Sequence, residues 1–281
     1  MLKWFKAPAS ETQITHGQRI WLYFLCGLTM AFLMAPSLLV IPMSFSDSRF
    51  LTFPPESFSL RWYENYLFSV EWMDATRVSL IAACLTVCVA TPVGTAAAYA
   101  LHVSGVRYAQ VLQMALTTPI MVPIILIGIG VFFLYARLGL NNTMPGLVLA
   151  HSMLALPFVL ITVSAGLKTY DMNQELVARS LGASRLWAFL TVTLPQIRFS
   201  IISGALLAFI TSLDEVVVAL FISGGENATL TRRMFNALRD QIDPTIAAIS
   251  TLLIAISVML LVLAQIFGQE KQQKYRPQEE E

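Results

Sequence analysis

Stretches free of Asp, Glu, Lys and Arg divide the chain into five long apolar runs: Ile20–Ser46, Val78–Gly105, Tyr108–Ala136, Leu138–Leu167 and Pro244–Gln269. A sixth, Phe199–Gly225, has the same length but is interrupted by Asp214 and Glu215. About 20 apolar residues at a rise of about 1.5 Å each cross roughly 30 Å of hydrocarbon, so every run is long enough to span a bilayer. A single segment in hydrocarbon must satisfy its own backbone N–H and C=O groups, which makes each run a helix. The pattern predicts an all-α polytopic membrane protein with six transmembrane helices, over about 20–43, 78–103, 110–136, 143–167, 197–222 and 244–268. These helices form one membrane domain, 20–269, between a polar lead, 1–19, and a polar tail, 270–281. No internal repeat or low-complexity linker divides it.

Composition supports the same solvent. Apolar residues make up 56% of the chain and charged residues 12%, and mean hydropathy is +0.67, outside the range of a soluble domain. A net charge of +1 supplies no basic surface for nucleic acid. Cys26, Cys84 and Cys88 all lie in apolar runs, and their odd number makes no disulfide framework. The first run is too long for the core of a cleaved signal, and no A-x-A-like site follows it.

Orientation follows from basic residues in the short flanks. With the N-terminus cytoplasmic, the inside collects eleven: Lys3, Lys6, Arg19, Arg107, Lys168, Arg179, Arg185, Arg198, Lys271, Lys274 and Arg276. The outside keeps seven: Arg49, Arg61, Arg77, Arg137, Arg232, Arg233 and Arg239. Both termini are therefore expected in the cytoplasm. Three extramembrane segments follow, an outer one at about 47–77, an inner one at 168–196 and an outer one at about 224–243.

Two of these segments carry local signals. In the last, Leu230, Met234, Phe235 and Leu238 share one helical face while Arg232, Arg233, Arg239 and Asp240 lie elsewhere, which predicts a surface helix. Asp243-Pro244 then places a carboxylate at an N-cap and a proline at the first helical position. In the inner segment, Asp171 with Gln174 fits a capping box and Gly182 fits the left-handed residue that ends a helix. Leu176, Val177, Ser180 and Leu181 make a small apolar face, Glu175 and Arg179 are spaced i, i+4, and a second amphipathic piece runs from about Arg185 to Val192. Apolar side chains in a cytoplasmic loop need cover. From pattern alone, a hairpin packed on its own membrane domain and a hairpin docked on a partner stand equal.

Gly182, followed thirteen residues later by Pro195 within Thr-Leu-Pro, resembles the EAA loop of ABC importer permeases, whose pattern is E-A-A-x-x-x-G and then a distal L-P. Aligned on Gly182, the E-A-A positions fall on Leu176, Val177 and Ala178, so only the last alanine matches, and Glu175 sits one residue early. Phe58-Ser-Leu-Arg-Trp-Tyr63, Gly94-Thr-Ala-Ala-Ala, Ser212-Leu-Asp-Glu-Val and Asp243-Pro resemble the spermidine/putrescine class of these permeases. The resemblance covers about residues 36–251. It implies a type I ABC importer fold with a cytoplasmic coupling helix, formed around Glu175, Ala178, Gly182, Leu194 and Pro195, that sits in a groove of a separate ATPase. It also implies a second, non-identical permease, two ATPase subunits carrying ATP and Mg, an extracytoplasmic solute-binding protein, and residence in a bacterial inner membrane. Other small solutes handled within the family, such as opines, amino-acid derivatives and phosphonates, remain alternatives to a polyamine.

The acidic pair in the fifth run is the exception that hydropathy singles out. A charge at the bilayer centre costs from about 2.5 to over 10 kcal/mol, so such acids face protein or water. Asp214 and Glu215 point about 100° apart on a helix and cannot both face one narrow pathway. A carboxylate here, Asp214 or Glu215, offers a counter-charge to a cationic substrate on the pathway, and in the polyamine resemblance Asp214 takes that role; the competing uses are an interhelical hydrogen bond to Thr211, Ser212 or a partner subunit, and snorkelling toward the outer interface. Other polar residues carry less. Cys84 and Cys88 have no third metal ligand nearby, His102 and His151 fit interhelical hydrogen bonding, and Pro119, Pro123 and Pro157 predict kinks. The chain contains no G-x-x-x-x-G-K-[ST], so ATP chemistry belongs to another polypeptide and the chain itself is not an enzyme. An ion-coupled secondary transporter would use the same acids, but it calls for an inverted repeat that is not visible.

Overall fold

The computed structural model describes residues 16–105, 107–240 and 243–269; the expected lead before residue 16 and the tail beyond 269 lie outside the described residues. Its helices, named here in chain order, are α1 (Ile20–Ser44), α2 (Arg61–Phe68), α3 (Val70–Val103), α4 (Ala109–Thr117), α5 (Ile124–Leu138), α6 (Met144–Thr169), α7 (Asn173–Ser180), α8 (Arg185–Ala188), α9 (Arg198–Asp214), α10 (Val217–Ile222), α11 (Leu230–Asp240) and α12 (Thr245–Gln269). By length and composition, α1, α3 and α6 are each long enough to cross a membrane, and the number reaches five if the bent pairs Ala109–Ile120 with Ile124–Leu138 and Arg185–Gln196 with Arg198–Asp214 each count as one span. α12 contributes a further apolar helix, Thr245–Leu260. Among the described residues the fold is all-α: α1, α3, α6 and α12 answer to four of the apolar runs, α4 with α5 to a fifth, and α9 with α10 to the run that holds the acidic pair.

The bends are where hydropathy and structure part. The run expected as one helix over 110–136 turns by 92° between Ile120 and Ile124. Pro119 and Pro123 flank the turn; each lacks an N–H, and a residue before proline avoids helical backbone. The run expected as one helix over 197–222 has two interruptions. It follows a 78° bend at Ile197, and it ends as a helix at Asp214 before resuming at Val217. The second span begins two turns before the charge-free run, at Val70, because Ser69 caps it and accepts the N–H of Trp72 at 3.5 Å.

The described residues fall into two compact units, one running up to Asn65 and taking in Asp243–Ile254, the other beginning at Tyr66 and taking in the chain from Ala255 onward. In the first, the segment after α1 folds back through a lone antiparallel bridge, Ser46 to Phe58, and the Ser59 N–H donates to the Phe45 carbonyl at 2.6 Å. The Phe58–Tyr63 motif secures this turn: Tyr63 shares a 2.7 Å hydroxyl hydrogen bond with Ser44 and its ring packs 5.2 Å from Phe45. The Asp243 carboxylate accepts the Thr245 N–H at 2.9 Å, which is the expected cap of α12.

The second unit is built on α6, which packs against both α3 and α9. Ala90, Ala98, Ala155, Val159, Val163 and Ala208 form the seam. Lipid is as apolar as these side chains, so close packing rather than transfer from water drives the association, and small residues permit it. Gly94 and Gly204 show how close: a Cβ on Gly94 would lie 2.7 Å from Val159 Cγ1, and one on Gly204 would lie 2.6 Å from Thr162 Oγ1. A second cluster, with Ala82, Tyr135, Leu147, Leu154, Val218 and Ile222, joins α3, α5, α6 and α10.

Candidate functional site

α9 stops at Asp214 because Glu215 is extended, with φ −68° and ψ 119°. The break frees the first N–H groups of α10, and Glu215 satisfies them itself: its carboxylate accepts the N–H of Val218 at 2.7 Å and of Ala219 at 2.9 Å. A carboxylate at a helix N-terminus meets both unpaired donors and the positive end of the helix dipole. Glu215 is buried, and its carboxyl oxygens are satisfied by backbone N–H groups. α11 fixes the same break from its other side. Thr231 Oγ1 donates to the Glu215 carbonyl at 2.7 Å and the Arg232 guanidinium donates to the Ala219 carbonyl at 3.1 Å.

Behind Glu215 lies a buried polar chain. His151 Nε2 stands 3.7 Å from the Glu215 carboxylate, His151 Nδ1 shares a 2.7 Å hydrogen bond with Ser212, and the Ser212 hydroxyl donates to Thr86 at 3.4 Å. His151 is thus the interhelical polar group its position predicted, tying α6 to α9.

Asp214 has the opposite environment. It is exposed on a cleft of about 560 Å³ whose apolar walls include Ile120 and Ile124 from the first broken pair, Leu154 and Phe158 from α6, and Ile210 from α9. The two helix breaks therefore face one cavity. Irregular backbone at membrane depth is tolerated where it lines a cavity, and broken helices place polar ends beside transported solutes. The second halves of the broken pairs hold each other: a Cβ on Gly128 of α5 would lie 2.6 Å from the Phe221 ring of α10, so that glycine admits the aromatic ring.

At the other end of α9 the loop from α6 is compact. Asp171 does not form the expected capping box; its carboxylate accepts the Asn173 N–H at 3.0 Å in a local turn, and α7 starts at Asn173. Gly182 ends α7 as expected, at φ +96°, with the Gly182 N–H on the Arg179 carbonyl at 3.0 Å and the Ala183 N–H on the Ala178 carbonyl at 3.1 Å. These are the two bonds of a Schellman cap, and they need a left-handed residue. After α8, a π-helical turn over Phe189–Thr193 precedes Pro195, whose missing N–H interrupts the regular ladder. Leu194 is half-buried and Pro195 exposed.

Glu175 does not pair with Arg179. It is 2% exposed and turned inward, accepting the Tyr99 hydroxyl of α3 at 2.6 Å and the Thr193 hydroxyl of the π-turn at 2.5 Å. Leu176, Val177, Leu181, Leu186 and Trp187 are exposed, so the loop rests on its own domain through Glu175 and presents an uncovered apolar surface on its other side. Tyr99, Thr193, Thr231 and Arg232 are the site residues that sequence reasoning missed. None has a spacing signal, because each acts on a residue far along the chain.

A helical membrane protein with two broken spans facing one cavity is a transport permease in class. A sequence model described as "binding-protein-dependent transport system inner membrane component" matches residues 90–272, and the chain belongs to that family. It is 31% identical over 264 residues to the putrescine transport system permease protein PotI of Escherichia coli, covering 91% of this chain and 94% of that one. It is also 31% identical over 237 residues to the spermidine/putrescine transport system permease protein PotC of Haemophilus influenzae, covering 84% and 91%. Among solved structures, a chain of a bacterial ABC transporter involved in the import of the acidic polysaccharide alginate superposes with a TM-score of 0.66 at 16% identity, over 94% of this chain and 99% of that one. A second chain, from that kind of transporter with an alginate pentasaccharide-bound periplasmic protein, gives 0.66 at 14% identity over 90% and 96%. At such identities the likeness is one of fold.

Proposed function

We propose that this permease carries a small organic cation of the putrescine and spermidine class across a bacterial inner membrane, through the cleft on which Asp214 opens. The observation that carries the reading is the convergence of the two helix breaks on a cavity with one exposed carboxylate and apolar walls. An ammonium group would pair with Asp214, while a methylene chain would lie along Ile120, Ile124 and Phe158. The relatives named for putrescine and spermidine support that choice over other solutes. Both termini face the cytoplasm in this reading, in line with the eleven-to-seven division of basic residues. An extracytoplasmic binding protein delivers the solute, and a second, non-identical permease completes the pathway. Two ATPase subunits, which hold ATP and Mg, dock on the apolar surface of α7 and α8.

Uptake of labelled putrescine into proteoliposomes containing the assembled complex tests this. Replacing Asp214 with Asn removes the charge and keeps the shape. Loss of one charge-assisted hydrogen bond is expected to lower uptake at low substrate by at least about tenfold with assembly intact. Unchanged rate and affinity would remove Asp214 from the pathway. Uptake of 2-aminoethylphosphonate in preference to putrescine would identify a different amine as the substrate, the solute named for a relative 30% identical over 227 residues.

A further inference from the structure

Three pieces of the second unit meet at one carboxylate. Glu175 comes from α7, Tyr99 from the last turn of α3 before Val103, and Thr193 from the π-helical turn that leads into the 78° bend. The two hydroxyl bonds, at 2.6 and 2.5 Å, occupy both carboxylate oxygens. The surroundings close the joint: the Phe189 ring centroid lies 4.3 Å from that of Tyr99, the Arg185 guanidinium lies 5.9 Å over the Tyr99 ring, and Thr193 Oγ1 lies 3.5 Å from the Tyr170 hydroxyl.

We infer that Glu175 is a positioning residue for energy coupling: it locks the short helix α7 to α3 and to the root of α9, so that displacement of α7 moves the helix that ends at Asp214. Three features support it. First, α7 has only eight residues, too short to hold its place by helix propensity, and its apolar side chains point away from the domain. It packs on the π-turn and on α8, and Glu175 supplies its buried side-chain hydrogen bonds to α3 and the π-turn. Second, the π-turn carries one extra residue per turn and places Thr193 toward Glu175; without that insertion the Thr193 hydroxyl would face elsewhere. Third, Thr193 lies five residues before Arg198, just across the 78° bend, and α9 then covers about 25 Å in its 17 residues to Asp214, so a shift of the π-turn displaces the root of the helix that ends at Asp214. Glu175 thus acts inside this chain, and the surface left for an ATPase is the apolar one at Leu176, Val177 and Leu181.

The inference rests on the ATPase partnership proposed above, and the test separates the two. The complete transporter, purified with its ATPase and reconstituted with its binding protein, is measured for ATP hydrolysis and for uptake. Wild type that retains no ATPase overturns the partnership, and the coupling role with it. With the ATPase retained, Glu175→Leu is expected to keep it bound and hydrolysing while uptake per ATP falls by at least about tenfold, the scale of a lost buried hydrogen-bonded charge. Glu175→Gln can still accept from one hydroxyl and donate to the other, and is expected to restore most of the ratio. Tyr99→Phe and Thr193→Val each remove one hydroxyl while leaving α7 untouched, and each is expected to lower the ratio; these two variants decide the matter if Glu175→Leu fails to assemble. A wild-type ratio in both hydroxyl variants overturns the proposal, as does loss of the ATPase from Glu175→Gln, which would make Glu175 a direct contact.

Discussion

Asp214 and Glu215 are neighbours with opposite roles: the Asp214 side chain opens onto the cleft, whereas the Glu215 carboxylate folds back onto the N–H groups of Val218 and Ala219. One acid caps the helix that resumes after the break, and the other lines the cavity beside it. A carboxyl group within an apolar run is accommodated twice by different means, once through backbone donors and once through exposure to a cavity.

Removing the Glu215 cap tests the first of these roles. Glu215→Ala strands two buried N–H groups and is expected to cost about 1–2 kcal/mol, with Glu215→Gln losing roughly half as much because one oxygen still accepts. Denaturant titration of the purified protein in detergent measures both. Equal stability of Glu215→Ala and wild type would show that α10 is held by other contacts alone.

The clamp from α11 gives a contrast between two adjacent arginines. Arg233 pairs with Glu71, a largely exposed partner, and such a pair contributes at most about 1 kcal/mol. Arg232 instead donates to the Ala219 carbonyl and sits over Gly224, where an added Cβ would lie 3.3 Å from its Nη1. Arg232→Ala is expected to destabilise the protein more than Glu71→Ala, by about 1 kcal/mol or more. Hydrogen exchange at Val218–Ile222 should rise in the former and stay unchanged in the latter.

Close helix packing makes a third prediction. Gly204→Ala would place a methyl 2.6 Å from Thr162 Oγ1 and 3.2 Å from Val159 Cα, and backbone cannot swing aside. A cost of about 1–3 kcal/mol is expected. Gly27→Ala in α1 meets nothing within 4 Å and should leave thermal stability within about 0.5 kcal/mol of wild type.

Gly182 isolates a conformational effect from a steric one. Nothing lies within 4 Å of a Cβ built there, yet φ is +96°. Gly182→Ala is expected to cost about 1–2 kcal/mol through backbone strain and to loosen the end of α7. Limited proteolysis should then cut the 171–195 loop faster, with Gly182→Asn intermediate because asparagine tolerates the left-handed region better.

What the sequence determined is what depends on short stretches of chain. Hydropathy located all six apolar runs, since transfer into lipid is summed residue by residue along a segment. Local backbone chemistry located the end of α7 at Gly182 and the start of α12 at Asp243, where each bond closes within a few residues. The oddity of an acidic pair in a span marked residues 214 and 215 as the place to look. Tertiary structure decided the rest. The acidic pair did not announce a break between Arg198 and Ile222, because the Glu215 cap is backed by Thr231 and Arg232 on another helix, which no local pattern shows. Glu175 reads locally as a partner for Arg179, four residues on. Its real partners, Tyr99 and Thr193, lie 76 and 18 residues away, and a buried carboxylate follows the donors that packing brings within reach rather than the charge nearest along the chain.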